Sequence, residues 1–155
     1  MSISVYTNKN GFIGCIVLSL LTLHIRKHKF DKKEIILRKI EMLGAIIGNI
    51  VGSRFEWNNI KTKEFEFFNY KCEFTDDSIM TLAIAKAILN CKEDYSDLSE
   101  VTIKYMQEVG RPYPYCGYGG YFSQWLMSDD PKPYNSLGNG AAMRVSAIGF
   151  VANSI

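Results

Sequence analysis

The chain has 155 residues, 47% of them hydrophobic, which is enough for one domain with a buried core. Its net charge of +2 is unevenly spread: residues 1–40 carry eight Lys/Arg against two Asp/Glu, and residues 41–155 carry ten against fourteen. A mildly acidic body lacks the basic face that nucleic-acid binding requires, so that partner is set aside.

Residues 1–41 read as a basic and apolar leader outside the functional domain. The leader holds both histidines, His24 and His28. The body therefore has no imidazole for a Ser-His or Cys-His pair, a zinc site or a general base. The apolar stretch 12–25 is 14 residues long, short of the roughly 20 that span a bilayer. Its charges follow the apolar core instead of preceding it, unlike a signal peptide. Membrane insertion is not expected. Cys15, Cys72, Cys91 and Cys116 show no close pairing and read as reduced thiols of a cytoplasmic protein.

From Lys32 onward Ile35, Ile36, Ile40, Leu43, Ile47, Ile50 and Val51 recur at helical spacing. Gly44, Gly48 and Gly52 stack on one face of the same helix. Each interior glycine costs about 1 kcal/mol against alanine, which predicts that another backbone packs closely on the stripe. Residues 57–74 are polar and aromatic and read as a long surface loop, of a length that usually serves a site. A second helix is predicted from about Asp77 to Asn90, with Ile79, Leu82, Ala83, Ile84 and Ile88 inward. A third follows a Ser96/Asp97 cap, with Leu98, Val101, Tyr105 and Val109 inward. The glycine-rich run 110–120 leads into a short helix around Phe122, Trp125 and Leu126, which the Pro-containing run 128–133 ends. Residues 141–155 are apolar at helical spacing and read as a core helix cut in mid-course, its partners lying outside the chain. No stretch alternates with period two, so the expected fold is all-α.

Thr75-Asp76-Asp77 places three hard oxygen donors at a helix start. Adjacent carboxylates repel each other, and ordering both beside a buried helix is costly without a cation between them. Asp, Thr and water suit Mg²⁺ or Mn²⁺ and not zinc; the plainer alternative is that one Asp caps the helix. Glu56 is a second carboxylate, able to take a proton or orient a water, or else a solvated surface acid. Gly117-Tyr118-Gly119-Gly120 is either a plain turn or a backbone cradle for an anion. Residues 134–144 set small and amide residues before a helix, where Asn139 and free N–H groups can grip a diphosphate. Arg144 serves either the ligand or an internal carboxylate pair, the latter being the more ordinary role. Phe122, Trp125 and Tyr134 fit ordinary core packing better than nucleobase stacking.

Taken together, residues 42–155 resemble the ADP-ribosylglycohydrolase family. The resemblance rests on Met42 to Glu56, Phe74 to Ala83, Gly117 to Gly120 and Pro133 to Ser146, four motifs in compatible order. It implies a helical bundle holding two divalent cations, Mg²⁺ with Mn²⁺ as the alternative, and an activity that hydrolyses bonds to ADP-ribose. The substrate would be an ADP-ribosylated protein or a small ADP-ribosyl compound. By the same resemblance Thr75, Asp76 and Asp77 are metal ligands, and Glu56, Asp76 and Asp77 are the catalytic carboxylates. Gly119, Ser136, Gly138, Asn139 and Gly140 would hold the substrate. Leu137 stands where an aromatic residue is common, and Asn49 where an Asp is common. The second metal-ligand motif of the family is not in the chain, so the bundle is expected to be truncated at its C-terminus and its activity impaired. The missing ligands would come from a separately encoded C-terminal half. The alternatives are a non-catalytic ADP-ribose-binding module or an inactive gene fragment.

Overall fold

Among the described residues the chain forms seven helical segments: α1 (Lys32–Gly52), a 3₁₀ turn (Ser53–Phe55), α2 (Asp76–Asn90), α3 (Leu98–Gly110), α4 (Gly120–Met127), α5 (Gly140–Met143) and a second 3₁₀ helix (Val145–Phe150). The computed structural model describes residues 32–151, with side chains from Met42 onward except that of Phe150. The readings of residues 1–31 and 152–155, and the inward placement of Ile35, Ile36 and Ile40, lie outside the described residues. No strand occurs among those described, as an all-α fold requires. Backbone contacts divide the chain into two units, Met1–Leu43 and Gly44–Ile155. The described part of the first unit is the opening of α1; every later element lies in the second.

α2 is the central element. Its run Ser78-Ile79-Met80-Thr81 and then Ala83, Ile84, Ala85 and Ala87 are all buried. A helix that is apolar all round is one surrounded by protein. α3, α5 and the second 3₁₀ helix all pack on α2, and α4 packs on α3. The single inward stripe expected for α2 is thus too narrow: Leu82 and Ile88 are only half-buried, while Met80 and Ala87 are fully enclosed. In α3 the position that closes the core is Met106, absent from the expected set. Leu98, Val101, Tyr105 and Val109 form a half-buried border around it. α3 covers one side of the core, so only its central contact line loses all solvent.

Polar side chains of α3 finish α4. The last carbonyls of a helix have no partner within it. Gln107 Nε2 donates to Ser128 O at 2.7 Å, Arg111 Nε to Leu126 O at 2.9 Å, and Arg111 Nη2 to Ser128 O at 2.8 Å. Leu126, fully buried, is thereby fixed from both its side chain and its carbonyl. Gly110 packs against buried side chains of α4 and α2: a Cβ there would lie 2.9 Å from Leu126 Cδ1 and 2.9 Å from Met80 Cε. Gly110→Ala is expected to destabilise the chain by about 1–2 kcal/mol, overpacking outweighing the better helix propensity. A lower urea midpoint at unchanged slope would register it.

Two expectations need correcting. Gly44, Gly48 and Gly52 are exposed, and among the described residues nothing lies within 4 Å of a Cβ built on any of them. The face that packs is the one carrying Ile46, Ile50 and Val51; the glycine stripe faces away from it. Nor do residues 141–155 begin as a continuous core helix. α5 ends after four residues at Arg144, whose backbone (φ −102°, ψ 6°) leaves helical geometry. The tighter 3₁₀ helix that follows buries Ala147 and leaves Val145 and Ile148 exposed.

The loop 57–74 is irregular and largely exposed, as its composition suggests. Its ends are tied through Ser53, whose hydroxyl donates to Ile50 O at 2.9 Å and accepts from Glu73 N at 3.0 Å. Arg54 braces the interior of the loop. Its guanidinium donates to Glu66 O and lies 4.5 Å from the Phe55 ring centroid and 5.7 Å from that of Phe65.

Candidate functional site

The triplet sits at the start of α2, but neither Asp caps the helix. Thr75 is the N-cap, with extended backbone (φ −122°, ψ −174°), and its side chain makes no capping bond. Asp76 and Asp77 occupy the first turn, where the positive end of the helix dipole favours carboxylates. The Asp76 N–H instead donates to Cys116 O at 2.6 Å. This bond brings the glycine-rich run against the triplet.

The Thr75 hydroxyl is engaged by α1. Asn49 Nδ2 donates to Thr75 Oγ1 at 2.7 Å and to Asp77 Oδ2 at 3.2 Å. Asn49 Oδ1 accepts from Ser78 Oγ at 2.6 Å and from Thr75 N at 3.4 Å. Sequence reading marks Asn49 only as a departure from a family pattern and gives it no role. The signal was an amide flanked on its helix by the buried Ile46 and Ile50, because a polar group there must find partners.

Gly117 has φ +94°, a region that favours glycine, and a Cβ on it would lie 3.2 Å from Asp76 Oδ1. The missing side chain lets the loop run directly over the carboxylate. Gly119 is the N-cap of α4, it is exposed, and nothing stands within 4 Å of its Cβ position. The next residue back, Tyr118, has a buried hydroxyl with no hydrogen-bond partner among the described residues. Burial, Cys116, Asp76 and Tyr113 together hold its proton on firmly.

Asp76 is pushed above the ordinary 3.8 by burial first, then by the charges of Asp77 and Glu56, with backbone N–H groups opposing. Asp77 is also raised by burial, against the hydrogen bond from Asn49. Glu56, exposed at the end of the 3₁₀ turn, is near enough for its charge to reach Asp76. The folded chain holds protons on these carboxylates at pH values where the unfolded chain has lost them. Stability therefore falls as pH rises from 3.8 through the raised values. In chelator at neutral pH, Asp76→Asn is expected to melt above the wild type, with the advantage shrinking as pH is lowered through that window. Thermal melts over a pH series check it.

The loop 134–140 is exposed up to half-buried Gly140. Ser136 Oγ accepts from Gly138 N at 3.2 Å, and Asn139 caps the four-residue α5 without a side-chain bond. Leu137 is 95% exposed. Arg144 forms no ion pair among the described residues. Its guanidinium lies 5.4 Å over the Phe122 ring; burial lowers its pKa, with Tyr134 and Asp76 opposing. The internal carboxylate pair expected for it is thus replaced by a ring contact. Phe122 in turn stacks on Trp125 at 5.4 Å, both half-buried, while Tyr134 is exposed and pairs with the exposed Tyr121 at 6.3 Å, so the core packing expected for Tyr134 does not occur.

Fold and site together define an all-α protein that gathers acidic and glycine-rich segments at the N-terminus of its central helix. The family model described as ADP-ribosylglycohydrolase matches residues 41–154, and the chain belongs to that family. It is 33% identical over 131 residues to the ADP-ribosylhydrolase ARH3 of Xenopus tropicalis, a match covering 69% of this chain and 37% of that protein. The chain thus spans little more than a third of that curated relative. No solved structure matches it at a significant level.

A divalent cation implied by the family fits these residues in kind. Two carboxylates and a hydroxyl are hard donors, and both carboxylates bear the electrostatic cost that a cation would relieve. They do not fit in number, since no group of three His, Cys, Asp or Glu side chains suited to a metal occurs among the described residues. No helix among those residues is long and apolar enough to cross a membrane.

Proposed function

We propose that this chain contributes one side of a hydrolase site that releases ADP-ribose from modified protein side chains, or cleaves a related ADP-ribosyl bond. The observation that carries the reading is the Thr75-Asp76-Asp77 turn, ordered by Asn49 and overlaid by the Gly117 loop, within a chain of this family. Thr75, Asp76 and Asp77 would hold Mg²⁺, with Mn²⁺ as a substitute, and further donors would come from protein outside the described residues.

The chain's own groups do the rest. Backbone N–H groups at Gly119 and the Ser136, Gly138, Asn139 and Gly140 segment hold the diphosphate. Glu56 orients the attacking water and takes its proton as oxygen bonds to the anomeric carbon and the protein side chain departs. This site needs no histidine, in keeping with a body that has none. The thiol of Cys72 accords with a cytoplasmic setting. Release of ADP-ribose from modified arginine, serine and ester substrates, with Mg²⁺ against chelator, tests the reading. No release from any of them by the protein carrying this domain would overturn it.

A second reading is a non-catalytic ADP-ribose-binding module. The exposed 136–139 segment beside an incomplete donor set favours it. Calorimetry that shows ADP-ribose binding without turnover would select this reading over the first.

A further inference from the structure

We propose that the cavity between the first 3₁₀ turn and the 57–74 loop, built around Arg54, is an oxyanion site that takes a carboxylate or a phosphate group. It uses none of the residues assigned to the hydrolase reading and stands or falls without it.

A guanidinium is always charged, donates through all three of its nitrogens and accepts nothing. Arg54 engages one of them: Nη2 donates to Glu66 O. Its Nε and Nη1 are shut off from solvent and have no hydrogen-bond partner among the described residues. The ion pairs found among those residues, Lys86 with Glu108 and Lys132 with Asp130, do not include it. Donors of a charged group left in this state bear its full desolvation cost. The Phe55 and Phe65 rings, edge to face at 5.4 Å, lie 4.5 and 5.7 Å from the guanidinium carbon. A ring attracts a cation but is a poor substitute for a hydrogen-bond acceptor. The side chain is thus held in place with its charge unmatched.

Arg54 also lines a cavity of about 240 Å³. A water takes roughly 30 Å³ in the liquid, so a small anion has room there. The rest of the lining suits one. Lys71 brings a second cation, and Asn58 and Asn69 bring amides. Asn69 Oδ1 accepts from Lys71 N at 3.0 Å, which leaves the NH₂ of that amide to donate. Glu66 is the one acid on the lining, and it holds Arg54 through its backbone carbonyl and not its carboxylate. Two cations against one acid make the lining positive. Asn58, Glu66 and Lys71 are exposed, so an anion in solution can reach the cavity. Carboxylate and phosphate oxygens match a guanidinium in charge and in donor geometry, whereas chloride matches it in charge alone.

The test is NMR on the full, isotope-labelled chain at constant ionic strength, with inorganic phosphate, acetate and chloride as probes. The Arg54 Nε–H signal is identified by its loss in Arg54→Lys. Phosphate or acetate is expected to shift it along a saturating curve, together with the backbone N–H signals of Asn58 and Asn69, while chloride leaves all three in place. Tighter binding of phosphate identifies a phosphate site, and tighter binding of acetate a carboxylate site. Lys71→Gln, a change at an exposed side chain, is expected to leave the melting temperature unchanged and to weaken binding about two- to fivefold, the range for one solvent-screened charge. Arg54→Lys keeps the charge and loses the fork, so binding read from Asn58 and Asn69 should weaken more than in Lys71→Gln. The proposal is overturned if the Arg54 signal answers to neither oxyanion, if chloride moves it as far, or if Lys71→Gln binds as tightly as the wild type. Signals of the 136–140 segment that move while those around Arg54 stay put would also overturn it, and would leave the diphosphate reading of that segment intact.

Discussion

Asp77→Ala is expected to slow ADP-ribose release by on the order of a hundredfold or more in the protein that carries this domain. The change removes one of two carboxylates in the first turn of α2 and the acceptor of one Asn49 N–H bond. Asn49 keeps its bonds to Thr75 and Ser78, so the turn retains most of its ties. Asp77 is half-buried and raised by that burial, so its loss removes an electrostatic cost and not a packing contact. The variant should therefore fold with a melting temperature in chelator equal to or above that of the wild type, while losing the rise that Mg²⁺ gives the wild type. Activity and metal-dependent melting, measured on one preparation, separate the two effects. Wild-type turnover by Asp77→Ala would remove this residue from the ligand set. A marked fall in melting temperature without metal would show that its role is structural.

What the sequence discloses and what it hides divide along a physical line. The apolar run after Asp77 announces α2, because a long stretch of apolar residues beside acidic residues suited to a first turn has few other uses. The burial of α2 beyond a single stripe is not legible, since it depends on α3, α5 and the second 3₁₀ helix arriving from later in the chain. The glycine stripe misleads for a related reason. Spacing shows that Gly44, Gly48 and Gly52 share a face, but it does not say whether anything meets that face, and among the described residues nothing does. In the site, the triplet stands out by residue type. The group that orders it does not, because Asn49 lies 26 residues before Thr75 and acts through hydrogen bonds that only the α1–α2 joint creates. Arg144 hides in the same way: its place over Phe122 depends on α5 ending where it does.

Gly117→Ala is expected to cost about 1–3 kcal/mol in stability and about a hundredfold in activity, by two routes that add. Backbone strain comes first: at φ +94° an L side chain clashes with its own carbonyl, which glycine avoids. Close approach comes second. The new methyl would lie 3.2 Å from Asp76 Oδ1, pressing an apolar group on a carboxylate that burial and neighbouring charges already disfavour. Relief requires either the loop to lift, stretching the bond from Asp76 N to Cys116 O, or the carboxylate to turn. Both shift an oxygen that the proposed site needs in register with Asp77, and a misplacement of about 1 Å is enough for a hundredfold loss. Gly119→Ala is the control. Its φ of −62° suits any residue and its Cβ would meet nothing, so folding should be unchanged. Denaturant melts, Mn²⁺ affinity and turnover on the two variants resolve the routes. If Gly117→Ala loses stability but keeps full Mn²⁺ affinity, the loop matters to the fold and not to the carboxylate beneath it.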